Sequence, residues 1–328
     1  MEKILAEEVS GYVGRLAPSP TGALHLGNVR TFMIAWLRAR SQGGKVILRT
    51  EDLDHPKDKP GAAAQAIEDL RWLGFDWDEE YVQSERKPIY RQALEALRRA
   101  NLVYPCVCSR RDVEAAQSAP HAGEQLHYPG TCRGRFKTWQ EALTFKKLKP
   151  CWRFAVPANT VVDFDDVFAG HYEQNVSAML GDFPLARDEF GAGYTLACTV
   201  DDLLMGVTEV VRGDDLLPAT PAQILLAQAL LPRLSNLSNL SNLSNFSNFS
   251  NLSYCHVPLV VGRDGKRLAK RHGDTRVATY REQGRRPEEL LGFLAASCGW
   301  AGEGERITLR ELIGRFDLTT IPHAPFMI

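Results

Sequence analysis

The sequence predicts an α/β fold on a parallel sheet wound in the Rossmann manner. GYVGRLAPS (11–19) and KVILRTED (45–52) are short, largely apolar runs of strand character. Between them, HLGNVRTFMIAWLRAR (25–40) has apolar residues at 29, 32, 33, 36 and 37, one face of a helix. PGAAAQAIEDLRWLGF (60–75) and KPIYRQALEALRRANL (87–102) are amphipathic helices, each with proline near its start. Strand, helix, strand, helix in alternation reads as a parallel sheet whose crossovers are helical.

The alternation breaks after residue 104. Residues 105–150 are irregular and rich in Cys, Pro, His and basic side chains, with one helix expected near 138–147. CWRFAVPANTVVDFDDVFAGHYE (151–173) reads as strands and turns, and YTLACTVDDLLMGVTEVVRG (194–213) as a return to the main fold. PATPAQILLAQALL (218–231) is a helix and YCHVPLVV (254–261) a strand, followed by the basic loop GRDGKRLAKRHGD (262–274). Two helices are expected in 276–328, at RPEELLGFLAASCGW and TLRELIGRF. The expected organisation is a first half of the catalytic domain at 1–104, an inserted subdomain at 105–190, a second half at 191–261, and a loop with a small helical stem at 262–328.

At 328 residues, 44% hydrophobic and 24% charged, the chain has the material and composition of a globular protein of about two domains. No apolar run reaches the ~18 residues of a membrane span. The N-terminus carries acidic residues where a signal peptide would be apolar, so a cytoplasmic protein is expected. A net charge of −1 does not by itself mark a nucleic-acid binder, although 133–153 is strongly basic. Seven cysteines without an export signal argue against a disulfide framework. Cys151, Cys198, Cys255 and Cys298 read as small buried hydrophobes.

In RLAPSPTGALHLGN a strand ends, a proline-rich turn follows, and a helix begins near Gly27. Unpaired N–H groups and the helix dipole favour a phosphate there, and His25 can add a donor; a turn with no ligand fits the spacing equally. Cys106-Val-Cys108, with Cys132 further on, offers three thiolates for a closed structural zinc site or, on spacing alone, three buried thiols. His121, His127 and Tyr128 lie between them.

HLGN resembles the first signature of class I aminoacyl-tRNA synthetases, and RLAPSPTGALHLGNVRT resembles the glutamyl-tRNA synthetases. The resemblance continues through ILRTEDLD (47–54), VDDLLMGVTEVVRGDDLL (200–217) and GKRLAKR (265–271), the last similar to the second class I signature. These four blocks, in family order, cover nearly the whole chain. The resemblance implies condensation of L-glutamate with ATP, accompanied by Mg2+, to an adenylate and pyrophosphate. The protein's part is position and charge rather than covalent catalysis. It implies His25, Gly27, Asn28 and Lys270 at the ATP phosphates, with His25 and Lys270 catalytic. It implies Arg15, Ala17, Ser19, Glu51, Tyr194 and Arg212 around glutamate, with Glu51 facing the ammonium and arginine clamping the side-chain carboxylate.

A short branch of the family has the Cys-X-Cys arrangement with a tyrosine four residues before the last cysteine. That resemblance implies one structural Zn2+ on Cys106, Cys108, Tyr128 and Cys132, with His127 and His121 as runners-up to Tyr128. Only 58 residues follow Lys270, so a helical stem but no anticodon-reading domain is expected. The short branch activates glutamate without tRNA and attaches it to queuosine at the wobble position of tRNA(Asp). The chain is expected to do the same, as a monomer. Three alternatives remain: a truncated synthetase charging tRNA(Glu), an inactive tRNA-binding relative, and a nucleotidyltransferase. The repeat LSNLSNLSNLSNFSNFSNLS (234–253) has a period of three that suits neither an amphipathic helix nor an alternating strand, and reads as an insertion into the second half of the fold.

Overall fold

The computed structural model describes residues 11–20, 22–53, 60–116, 127–146, 148–234, 252–266, 268 and 275–328. The chain opens with β1 (Val13–Leu16), α1 (Leu26–Arg40), β2 (Lys45–Thr50), α2 (Ala62–Trp72), β3 (Glu79–Val82) and α3 (Lys87–Arg99). There follow β4 (Val103–Cys106), α4 (Arg110–Ala116), α5 (Trp139–Lys146), β5 (Cys151–Phe154), β6 (Val161–Asp166), β7 (Gly170–Asn175), α6 (Val176–Met179) and β8 (Pro184–Ala186). The last third holds α7 (Tyr194–Leu204), β9 (Glu209–Gly213), α8 (Thr220–Leu234), β10 (Ser253–Val257), β11 (Val260–Val261), α9 (Val277–Glu282), α10 (Pro287–Ala296), α11 (Leu309–Ile313) and β12 (Phe326–Met327).

β1, β2 and β3 pair in parallel with β2 central, and β9 and β10 form a second parallel pair. The two groups meet where β1 faces β9. Thr208 N donates to Val13 O at 2.9 Å, and Val13 N donates to Thr208 Oγ1 at 2.9 Å. The seam between β1 and β9 is where strand order reverses, and parallel α/β sheets bind their ligands beyond the strand ends at such a reversal.

Side chains alternate across a strand, and here the alternation divides the sheet into two unlike faces. Leu16, Val46, Leu48, Val211, Cys255 and Val257 join one apolar core with α1 and α2. The opposite parity carries Ile47, Val210 and Tyr254, together with Arg15, Arg49, Arg212 and His256, all buried. One face is therefore a core and the other a layer of buried charge.

The apolar face also receives the C-terminal helices. Leu290, Leu291, Leu294, Leu309 and Leu312 pack in the same cluster as Val29, Met33, Trp36 and Leu37 of α1. Residues 277–313 thus share a core with the first half of the sheet. A second core, with Tyr90, Leu94, Trp152, Phe154, Leu196, Leu203, Leu226 and Leu230, joins α3, α7 and α8 to the antiparallel sheet β4–β5–β8.

Several elements differ from the sequence expectation. β3, EEYV, is a polar edge strand without an apolar run. β4 and α4 lie in or next to the stretch expected to be irregular. Pro105 is tolerated in β4 because that strand is at a sheet edge. The expected strand 254–261 is divided at Pro258-Leu259 into β10 and β11, and β11 pairs in parallel with β12 at the chain's end. The repeat at 235–251 lies outside the described residues.

Candidate active site

His25 is the N-cap of α1. Its Nδ1 accepts from Asn28 N at 3.3 Å, and Asn28 Oδ1 accepts from His25 N at 3.2 Å, a reciprocal capping box. Nδ1 acting as acceptor puts the proton of the neutral ring on Nε2. The first turn of α1 has no acidic residue, so side chains leave its dipole uncancelled. A Cβ on Gly27 would lie 3.1 Å from the His25 ring and 3.5 Å from Val260 Cβ, so glycine keeps the backbone open between histidine and β11.

Backbone pairing brings the flank of the basic loop to this turn. Leu26 N donates to Thr275 O at 3.0 Å and Val277 N to Leu24 O at 2.9 Å, with His25 and Arg276 facing across an antiparallel bridge. Lys270 lies outside the described residues. Thr275, the next described residue along the chain, pairs with Leu26 of the first signature.

Past the ends of β1 and β2, Glu51 N donates to Pro18 O at 3.0 Å, tying the loop that carries Ala17 and Ser19 to the loop that carries Glu51. Beneath them lies the charged layer. Arg49 is fully buried, with Nη1 2.6 Å from Asp202 Oδ1 and Nη2 3.0 Å from Glu51 Oε1. Cys198 Sγ also donates to Glu51 Oε1, at 3.2 Å. Arg15 donates Nη1 to Val211 O across the seam at 2.7 Å, while its buried Nε has no hydrogen-bond partner among the described residues and is 3.7 Å from Asp202 Oδ1.

Arg212 stands on the other side of the seam. It donates Nε to His256 Nε2 at 3.0 Å and Nη2 to Thr220 Oγ1 at 2.7 Å, leaving Nη1 without a partner among the described residues. Tyr194 opens α7, with 44% of its surface exposed. Desolvation by the surrounding protein, then Cys198 and Glu51, raise its pKa against the pull of Arg212 and Arg15, so it remains neutral. Two arginines with uncommitted donors, a carboxylate and a phenol thus gather at the strand-order reversal. The set suits a ligand carrying both anionic and ammonium groups.

Arg49, Asp202 and His256 were not expected from the sequence. Their one signal is polarity inside otherwise apolar strands and a helix; apart from Glu51 beside Arg49, their partners are far away in the chain. Cys198, expected to be a small buried hydrophobe, is buried and also touches Glu51.

The cysteine group lies in the separate β4–β5 region. Cys106 ends β4 and Cys132 sits in the turn after Gly130. The sulfurs of Cys106, Cys108 and Cys132 lie within 4.8 Å of one another, and Cys108 and Cys132 are 3.6 Å apart. Tyr128 Oη is 3.2 Å from Cys106 Sγ and 3.7 Å from Cys108 Sγ. Tetrahedral zinc, with Zn–S of about 2.3 Å and Zn–O of about 2.0 Å, needs S···S near ~3.8 Å and S···O near ~3.5 Å. The Cys108–Cys132 distance and the two Tyr128 distances lie near those values, and the remaining sulfur pairs lie within 4.8 Å. Tyr128 is fixed by Tyr128 N donating to Leu180 O at 3.0 Å and by Gly181, where a Cβ would come 2.2 Å from Tyr128 O and φ is +66°.

A hydrogen bond from Cys151, then those from Tyr128 and Cys108 N, lowers the Cys106 thiol to about 4 against the cost of burial. Arg153 adds charge, with Nε 3.2 Å from Cys106 Sγ and its guanidinium 3.8 Å from the Tyr128 ring centre. Cys151, expected to be a small buried hydrophobe, is only half-buried and faces Cys106 across the β4–β5 pair. His127 turns to Ser177 O at 3.2 Å, so its ring nitrogen is engaged away from the sulfurs. His121 lies outside the described residues.

The fold, the capped histidine turn and the charged seam define a nucleotide-handling α/β enzyme. The sequence family described as tRNA synthetases class I (E and Q), catalytic domain, matches residues 12–327, and the chain belongs to that family. It is an ATP-utilising ligase of the aminoacyl-tRNA synthetase type. The glutamyl-Q tRNA(Asp) synthetase of Rhodopirellula baltica is 44% identical over 98% of this chain and 97% of its own length. The glutamate–tRNA ligase of Aquifex aeolicus is 40% identical over 95% of this chain but 63% of its own. Among solved structures, a glutamate tRNA ligase from Elizabethkingia meningosepticum in complex with its amino acid superposes with a TM-score of 0.76 at 27% identity. It covers 97% of this chain and 67% of that one. No described helix is long and apolar enough to cross a membrane.

Proposed function

We propose that this chain activates L-glutamate with ATP in the absence of tRNA and transfers the glutamyl group to queuosine at the wobble position of tRNA(Asp), in the cytoplasm. The observation that carries the reading is the charged seam: Arg15 and Arg212 on either side of the β1–β9 reversal, with Glu51 at the neighbouring strand end. Arg15, Arg212 and Tyr194 receive the side-chain carboxylate, Glu51 the ammonium, and Ala17 and Ser19 the body of the substrate. Two arginines and a phenolic donor favour the charged carboxylate over a neutral amide.

In the first step an oxygen of the α-carboxylate attacks the α-phosphorus of ATP. The bond to the pyrophosphate oxygen breaks, and pyrophosphate leaves with the electron pair. His25 presents its Nε2 proton to the phosphates at the N-terminus of α1, where Gly27 and Asn28 keep the backbone accessible. Lys270 is assigned from its place in the second signature to stabilise the departing charge, and Mg2+ accompanies ATP. Zinc on Cys106, Cys108, Tyr128 and Cys132 would supply structure to the β4–β5 region, with no step in the reaction.

Support for the queuosine acceptor comes from the near full-length likeness to the Rhodopirellula baltica protein. The likeness to the Aquifex aeolicus ligase favours a second reading, charging of tRNA(Glu). Glutamate-dependent exchange of pyrophosphate into ATP, run without tRNA across the amino acids, tests the activation step. Exchange with glutamate alone supports it; no exchange, or equal exchange with glutamine, contradicts it.

A further inference from the structure

Arg212 does not stand alone in the seam. In the parallel pair β9–β10 it is the register partner of His256, so the two side chains share the charged face. His256 in turn meets Asp166 at the end of β6, with Nδ1 2.6 Å from Asp166 Oδ2. Asp166 Oδ1 accepts three backbone N–H groups, from Phe168 at 3.0 Å, Ala169 at 2.8 Å and His256 at 3.0 Å. The His256 and Asp166 side chains are wholly buried. Arg212 Nε–H can donate to His256 Nε2 only if that nitrogen is bare, which puts the ring proton on Nδ1, facing Asp166. The chain Asp166–His256–Arg212 is therefore directional at every link.

We propose that Asp166 and His256 are positioning residues for the substrate-binding arginine. Asp166 fixes the His256 tautomer, and the bare Nε2 holds the Arg212 guanidinium at the angle that points its remaining donor into the pocket. The proposal rests on the reading of Arg212 as a carboxylate clamp. It carries a proton dependence, because a second ring proton on Nε2 would turn that nitrogen to Thr220 Oγ1, 3.0 Å away, and displace the Arg212 Nε–H it now accepts. The groups facing His256 are Asp166 of β6, Arg212 of β9, Arg15 of β1, Thr220 at the start of α8, and the stacked ring of Tyr254. Burial, then Arg212 and Arg15, keep the ring neutral against Asp166, so the clamp is set at neutral pH and released in acid.

The most specific test is Asp166→Asn. The three N–H groups on Oδ1 would hold the amide oxygen in place and leave the NH2 where Oδ2 was. That NH2 would donate to Nδ1, forcing the ring proton to Nε2 and against Arg212. In glutamate-dependent pyrophosphate exchange, Asp166→Asn and His256→Phe are expected to raise the glutamate KM on the order of tenfold or more. The ATP KM should stay within about twofold and kcat should change less than the glutamate KM. His256→Gln restores an acceptor near Nε2 and is expected to recover most of the affinity.

A glutamate KM within about twofold of the parent in folded Asp166→Asn and His256→Phe would overturn the proposal. Arg212→Gln separates the two layers of the argument: if it too retains normal glutamate affinity, the pocket assignment fails. If it alone loses affinity, only the relay fails. Should the first two variants not melt cooperatively, the pH profile decides. The parent's glutamate KM is expected to rise as pH falls through the His256 pKa, which burial holds below the ordinary histidine value, and that of His256→Gln to stay flat; parallel profiles would overturn the proposal.

Discussion

Arg49 Nη2 lies 3.0 Å from Glu51 Oε1, while Nη1 of the same guanidinium lies 2.6 Å from Asp202 Oδ1. One buried arginine thus balances the carboxylate assigned to the substrate ammonium and a carboxylate of α7. Arg49→Met removes the cation and leaves Asp202 and Glu51 buried without it. The expected loss is about 3–5 kcal/mol of folding free energy, the range for breaking a buried pair from one side. Urea unfolding followed by circular dichroism measures it, and a loss below about 1 kcal/mol would show that the layer is not electrostatically closed by Arg49.

Acid should destabilise the fold through Asp166 and His256. Burial, then Arg212, lowers the His256 pKa from the ordinary histidine value, against Asp166. Burial raises the Asp166 carboxyl, but hydrogen bonds from His256 and the N–H groups of Ala169 and His256 outweigh it and lower the pKa. Both groups bind protons more readily in the unfolded chain, so stability rises with pH through their titration. The His256 contribution is complete above about 6.5 and is lost as pH falls toward its lower folded value; Asp166 follows below about 3.9. Thermal melts from pH 7.5 to 5 should show a falling Tm in the parent and a smaller fall in His256→Gln.

Zinc is expected at one equivalent per chain. Cys132→Ser should lose it, and Tyr128→Phe should bind it more weakly while keeping the three thiolates. Atomic emission after dialysis against a chelator reads the stoichiometry. Undiminished retention in Tyr128→Phe would remove the phenol oxygen from the ligand set. Chelation should melt the β4–β5 region and leave glutamate-dependent pyrophosphate exchange measurable, since none of the four ligands lies in the charged seam.

Leu294 is fully buried in the core that α10 shares with α1. Leu294→Ala should cost about 2–5 kcal/mol. Because one core spans both parts, the expectation is a single cooperative unfolding transition at lower urea. An early separate transition for the C-terminal helices would show that they form an independent unit.

The local features were legible in the sequence. The spacing of Val29, Met33, Trp36 and Leu37 specifies α1, and HLGN marks its cap because the His25–Asn28 box closes over three residues. Glu51 was pointed to by the resemblance to the glutamyl-tRNA synthetases, and the three cysteines by their type and spacing. What joins distant parts of the chain was not. Arg49 and Asp202 are 153 residues apart, and His256 and Asp166 are 90 apart. No periodicity records which polar residue in an apolar strand meets which carboxylate. β3 and β12 went unseen for a related reason: EEYV and Phe326–Met327 become strands through the neighbours they pair with, β2 and β11. Pro105 concealed β4, since proline in a strand is informative only once its place at a sheet edge is known.

The proposed acceptor of the glutamyl group is queuosine and not the acceptor end of tRNA(Glu). Incubation with labelled glutamate and ATP, alongside queuosine-containing tRNA(Asp), the same tRNA lacking queuosine, and tRNA(Glu), tests it in one experiment. The expected result is label on queuosine-containing tRNA(Asp) alone; label on tRNA(Glu), or equal label on tRNA(Asp) without queuosine, would contradict it.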